Sequence, residues 1–254
     1  MTAIPEPERR RSPLPGVVPG AGIIGRAELV PEFAAFGIRA FTTTRITGSF
    51  GLMSDEPVRD VMARWQQLRR ELRPGAPRLA HATQVHGSRV VLHHADWEGW
   101  LRIDDADGHA TVDRGTALAV TIADCVPVFV AHPSGAVALL HSGWRGTAAR
   151  IVEQGIAALA RRGYPAPELR VHLGPAICGN CYEVSGDVAQ QLTGRNPGKP
   201  IEVDLHRIIA AQARAAGVRH VSTSPSCTRC NNDRFYSHRA GDAGRQLSVM
   251  VADV

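Results

Sequence analysis

The stretch that most constrains the fold is TIADCVPVFVAHPSGAVALLHSGWRG, residues 121–146. With the ALAVTI that overlaps its start, it holds three apolar runs, the others being VPVFVA and AVALLH, with only short breaks between them. Such runs read as strands of a sheet covered on both faces, because a strand with one wet face would alternate polar and apolar residues. HPSG between the last two reads as a hairpin turn. Cys125 closes the first run and His141 the last. A strand end opening into a loop is where a rigid scaffold presents reactive side chains. Cys125 can therefore be a nucleophile, a metal ligand or a small buried residue, and His141 a ligand, a base or a hydrogen-bonded core histidine.

Further strand-like runs are GIRAFTTT, LAHATQV, SRVVLH, ELRVHL, VRHVST and QLSVMVA. Helical spacing appears in DEPVRDVMARWQQLRREL, where Val58, Val61, Met62, Trp65, Leu68 and Leu72 share a face behind an Asp55 cap and an early Pro57. GTAARIVEQGIAALARRG predicts one helix with Ala148, Ile151, Val152, Ile156 and Leu159 on its buried face and Gly163 as its stop. EVSGDVAQQL and DLHRIIAAQARAAG predict two more. The element order is that of an α+β (mixed α/β) fold. Residues 1–25, rich in Pro, Gly and Arg, read as a flexible tail. That leaves 26–254 as a single domain whose structured body begins near Gly37.

The 254 residues, 44% hydrophobic and 21% charged, suit a soluble globular protein with a sizeable core. No run approaches the roughly 18 apolar residues of a membrane span, and the N-terminus has no secretory h-region. A cytoplasmic location and no membrane partner are expected. The net charge of +5, with 5% aromatic residues, gives no nucleic-acid platform and suits an enzyme with a phosphate-bearing substrate. Five cysteines without a secretion signal point to metal or catalysis rather than a disulfide framework.

QVHG at residues 84–87 supplies His86 at the end of another apolar strand, before a glycine. Two imidazoles and a thiolate suit Zn²⁺, whose catalytic sites keep three protein ligands and one open position. In HSGWRGT, glycines flank Trp144 and Arg145 ahead of a helix, an arrangement that can seat an anion with Arg145 as clamp. Arg45, following GIRAFTTT, is a second candidate for that anion. Cys178-x-x-Cys181 and Cys227-x-x-Cys230 can form a Cys₄ zinc site, a redox pair or inert thiols. The 45 residues between them exceed the usual zinc-ribbon spacing of about 15–20. HExxH, GxxxxGK[ST], GxSxG and HxE with PCxxC are all absent. None of the eleven histidines forms the HxH pairs of a multicopper centre.

QVHG, Ala123-Asp124-Cys125, HSGWRG, GPAIC followed by YEV, Cys227-Thr228, and FYSHR followed by GR occur in one order. In this the chain resembles the laccase-domain proteins, once named multicopper polyphenol oxidoreductases and now regarded as purine nucleoside phosphorylases. The resemblance runs from about residue 37 to the C-terminus. It implies a single-domain four-layer α/β/β/α sandwich and metal ligands His86, Cys125 and His141, which are also the catalytic residues. It implies phosphorolysis of adenosine, inosine, guanosine and methylthioadenosine, and deamination of adenosine. Arg45, Arg145, Gln84 and Asp124 are the expected substrate or phosphate contacts, with zinc as cofactor. Ser49 stands where many members carry Asn.

The rival readings are a hydrolase with Cys125 as nucleophile and His86 or His141 as base, a copper-dependent polyphenol oxidase, and a module in which zinc serves only folding. The expected partners are a purine nucleoside and phosphate, and the expected assembly is a monomer or small homo-oligomer.

Overall fold

The computed structural model describes residues 22–254. Most of the expected tail, residues 1–21, lies outside them. Ile23 is buried, and its N–H and that of Ile24 donate to the Glu71 carboxylate at 2.9 and 3.1 Å. Phe33 is fully buried ahead of Gly37. The packed body therefore begins well before Gly37, because apolar residues upstream of it find cover in the core.

Two six-stranded mixed sheets organise the molecule. The first runs, edge to edge, β1 (Glu28–Leu29), β2 (Ile38–Thr42), β14 (Gln246–Ala252), β7 (Thr116–Ile122), β3 (Arg78–Ala82) and β5 (Gly99–Ile103). The second runs β13 (His220–Thr223), β10 (Arg170–Leu173), β8 (Val126–Ala131), β9 (Val137–Ser142), β6 (Gly108–Thr111) and β4 (Val90–His93). A short ribbon joins β11 (Glu183–Val184) to β12 (Ile201–Glu202). The helices are α1 (Val58–Leu72), α2 (Trp144–Ala148), α3 (Ile151–Ala160), α4 (Gly186–Thr193) and α5 (Leu205–Ala215).

Three apolar layers show how these elements stack. Trp65, Leu68 and Leu72 of α1 pack on Phe41, Leu79, Ala117 and Val249 of the first sheet. Leu118, Val120, Ile122 and Met250, from the opposite face of that sheet, pack on Phe129, Val137 and Leu139 of the second. Val128, Val130 and Leu140 then meet Ile151, Ile156, Leu159, Ile209 and Ala213 of α3 and α5. The order is α/β/β/α, with each sheet covered on both faces. This is why β8 and β9 are buried along their whole length and lack polar alternation. β8 and β9 form the expected hairpin across HPSG.

Two helix expectations are corrected. Asp55 does not cap α1. Pro57 occupies the N-cap with extended backbone (ψ 131°), and no side chain caps the helix. A proline disfavours helical backbone in the residue before it, so the helix cannot reach back to Asp55. The helix expected through 146–163 is broken at Arg150, which adopts left-handed backbone (φ 58°) between α2 and α3. Two packing demands account for the break. A Cβ at Gly146 would lie 3.0 Å from the Gly87 carbonyl, so α2 is held tightly against the QVHG loop. The apolar side of α3 must meanwhile lie on β9, and one straight helix cannot serve both directions. Strands β5 and β6 had no clear signal, since GWLRI and GHAT lack the apolar runs of the centre.

Leu139→Ala empties the layer between the two sheets. It should lower stability by about 2–5 kcal/mol, read as a lower urea midpoint at unchanged slope.

Candidate metal centre

The fold brings three dispersed loop and strand ends together. His86 lies in the loop after β3, Cys125 in the bend between β7 and β8, and His141 one residue before the end of β9. Their ligand atoms all lie within 4.8 Å of one another. The two imidazoles meet edge to face with centroids 4.8 Å apart. His141 is buried, Cys125 half-buried and His86 exposed, so the cluster opens to solvent on one side.

Asp107, fully buried just ahead of β6, holds this arrangement. Its carboxylate accepts the N–H groups of Val85, His86 and Gly87 at 3.2, 3.0 and 2.7 Å, which fixes the loop carrying His86. The same carboxylate lies 2.8 Å from Nδ1 of His141. Nδ1 is thus committed as a donor and Nε2 is left for Cys125 or a metal. Burial alone would raise the Asp107 carboxyl, but hydrogen bonds from His141 and the loop N–H groups outweigh it and hold it below the usual carboxylate range. Burial also opposes charge on the other members. The charge and hydrogen bonds of His141, then those of His86, nevertheless bring Cys125 down to about 6. Cys125 and Asp107 together raise His141 to about 9 despite its burial. The two shifts run in opposite directions, each group favouring the charged form of the other.

Backbone geometry is specialised at the same place. His86 and Asp124 are non-glycine residues with φ of 60° and 81°, a conformation that costs about 1–3 kcal/mol and persists only where the surroundings enforce it. Hydrogen bonds enforce it here, from Asp107 on one side and through Asp124 on the other. Gly143 is required by space: a Cβ there would lie 2.8 Å from Cys125 Sγ and 3.3 Å from His86 Cδ2.

The remaining candidate residues divide. Asp124 is buried and accepts from Thr228 Oγ1 at 2.6 Å and from the Arg239 N–H at 2.7 Å, so its carboxylate pins the bend that presents Cys125. Gln84 uses both ends of its amide on the Thr121 backbone of β7. Arg45 pairs with Asp242 at 2.5 Å and lies over the Tyr236 ring. Arg145 is exposed over the Trp144 ring. Ser49 is fully buried, and its hydroxyl accepts the N–H groups of Gly51 and Arg245.

Three residues escaped the sequence reading. Asp107 sits in IDDADG, which looks like a solvated acidic turn. Tyr182 follows the first CxxC pair, and the charges of Cys125, Arg239, Asp124 and Arg145 all act on its hydroxyl. Burial chiefly raises it to about 12, so it stays a donor. Arg239 lies over the Tyr182 ring at 5.1 Å. Tyr182 and Arg239 stand inside the YEV and FYSHR motifs, which were the only signal for them.

Several known proteins are similar to this chain. Residues 45–253 match the family described as multi-copper polyphenol oxidoreductase laccase. A purine nucleoside phosphorylase of Streptomyces griseus is 34% identical over 211 residues, covering 80% of this chain and 85% of that protein. An adenosine deaminase from an unknown prokaryotic organism is 31% identical over 235 residues, covering 80% and 88%. The crystal structure of YlmD from Geobacillus stearothermophilus superposes with a TM-score of 0.81 at 29% identity, covering 89% of this chain and 94% of that one.

Asp107→Asn removes the charge that orients His141 and places an amide against a cluster of donors. Affinity of the centre for a divalent metal should fall about 10–100-fold, measured by competition with a chromophoric chelator. In chelator-treated protein, alkylation of Cys125 by iodoacetamide should rise through about pH 6 rather than near 9. Mass spectrometry of the labelled peptide across pH reads this directly.

Proposed function

The chain belongs to the multi-copper polyphenol oxidoreductase laccase family, and on that premise we propose that it is a zinc-dependent purine nucleoside phosphorylase. Relatives named as a purine nucleoside phosphorylase and an adenosine deaminase support a nucleoside-processing role. The observation that carries the finer reading is the His86–Cys125–His141 centre. It has three ligand atoms within 4.8 Å, a carboxylate behind one histidine and one exposed side. Two nitrogens and a soft thiolate suit zinc, and three protein ligands leave the position that a catalytic site needs. A module using zinc only for folding would close that position with a fourth protein ligand. When bound, zinc supplies Lewis acidity toward a substrate oxygen or a water molecule.

The chain's own residues supply binding and orientation. Arg145 is exposed beside the centre and takes the phosphate, with Tyr182 and Arg239 as further donors on that rim. The helix behind Arg145 is only five residues long, so the side chain rather than a helix end provides the attraction. Arg45 joins this site once phosphate competes with Asp242 for its guanidinium. Gln84 and Asp124 act as positioning residues, one holding the His86 loop to β7 and the other fixing the Cys125 bend. A phosphate oxygen forms the new bond to C1′ of the ribose. The C1′–N9 bond breaks, and the purine leaves with its electron pair and takes up a proton. The products are the free base and ribose 1-phosphate.

The relative named as an adenosine deaminase favours a second activity at the same site, in which water replaces the amine at C6 of adenosine and ammonia leaves. Copper-dependent phenol oxidation is less well supported, because the chain has no HxH pairs from which to build a multicopper cluster. A nucleophilic Cys125 would be incompatible with stoichiometric metal bound through its thiolate.

Incubating inosine with phosphate should yield hypoxanthine and ribose 1-phosphate, and Cys125→Ala should lose both metal and turnover. Arg145→Ala should raise the KM for phosphate by about 10-fold or more, the loss of one charged hydrogen bond, with the nucleoside KM little changed. Wild-type turnover without ribose 1-phosphate, or full activity in metal-free Cys125→Ala, would sink the reading.

A further inference from the structure

Two CxxC pairs with 45 residues between them in sequence meet in space as a second cluster, distinct in its residues from the three-residue centre. The sulfurs of Cys178, Cys181, Cys227 and Cys230 all lie within 4.8 Å of one another. Cys181 and Cys230 are 3.5 Å apart, Sγ to Sγ. Zinc–sulfur bonds of about 2.3 Å in a tetrahedron place the sulfurs about 3.8 Å apart, so the cluster has the dimensions of a mononuclear site. Each pair is carried on a tight turn, Gly179–Cys181 in one case. The N–H groups of Cys178 and Cys230 point at Cys227 Sγ, at 3.3 and 3.4 Å. Backbone donors aimed at a sulfur favour its thiolate form. The cluster forms part of the wall of a cavity of about 1210 Å³, also lined by Arg207, Arg229 and Arg239 and by Glu202 and Asp204, which gives a path for metal entry.

We propose that Cys178, Cys181, Cys227 and Cys230 form a second, structural zinc site. Binding Zn²⁺ displaces the four thiol protons and leaves a dianionic tetrathiolate, with no position open for substrate. The site also has a mechanical role. Cys227 and Ala176 form a parallel bridge, and the Thr228 N–H donates to the Ala176 carbonyl at 3.0 Å. Each of the two segments it joins then contacts Asp124: the Ile177 N–H reaches its carbonyl at 3.1 Å, and Thr228 Oγ1 its carboxylate at 2.6 Å. The metal would thereby clamp both supports of the bend that presents Cys125.

The test separates the two sites. A His86→Ala/Cys125→Ser variant removes two ligands of the first centre, and it should still retain one zinc per chain by elemental analysis. Loaded with Co²⁺ instead, it should show tetrahedral d–d bands and the strong sulfur-to-cobalt absorption of four thiolates. In wild-type protein with zinc, Cys178, Cys181, Cys227 and Cys230 should resist iodoacetamide, and all four should label after chelator treatment. That measurement needs no variant to fold. Absence of metal from the double variant, cobalt bound without sulfur absorption, or disulfides among these cysteines in the intact mass would each overturn the proposal. None of these readings depends on nucleoside turnover, so failure of the proposed activity leaves the second site separately decidable.

Discussion

Everything at the centre depends on one buried carboxylate. Asp107 is fully removed from solvent, a costly position for a charge unless hydrogen bonds compensate it. Four donors do so: three successive N–H groups of the His86 loop and the ring of His141. Because the donors come from different parts of the chain, satisfying the charge also fixes where the two histidines meet. The left-handed backbone of His86 is held by the same bonds. The strain there and the desolvation at Asp107 are compensated together, which couples the stability of the loop to the geometry of the ligands.

Asp124 repeats the device on the cysteine side. Its carboxylate and carbonyl gather Thr228, the Arg239 backbone and Ile177 around the bend before Cys125. The supports of that bend are the segments that carry the four-cysteine cluster. Cys125 is therefore presented by a turn whose own anchors are cross-linked, directly by a strand bridge and, in the proposal, by a metal. Gly143 completes the arrangement by leaving room where any Cβ would collide with Cys125 and His86.

Much of this was visible along the chain. The β8–β9 hairpin, the buried face of α1 from Val61 to Leu72 and the candidate donors His86, Cys125 and His141 follow from apolar runs, helical spacing and the chemistry of soft ligands at strand ends, whereas Val58, expected on that face, is exposed. Other parts were not. A break at Arg150 has no local signal, because it arises from α2 and α3 being drawn to different surfaces. Gln84 and Asp124 looked like groups facing a substrate, yet their polar atoms are engaged by β7 and by the Thr228 hydroxyl and the Arg239 N–H. Asp107 looked like one acid among several in an exposed turn.

By itself, the sequence determined which central apolar segments become strands and which side chains have the chemistry to hold a metal, since periodicity and donor type are local properties. Tertiary structure alone decided which of those side chains meet. The spacing of the two CxxC pairs argued against a joint site, whereas the fold lays Ala176 beside Cys227 and closes the four sulfurs to within 4.8 Å. Distance along a chain measures only the entropy of closing the loop, a cost that grows slowly with length. Once two sheets and their helices are packed, that closure has already been made, and two pairs with 45 residues between them become neighbours.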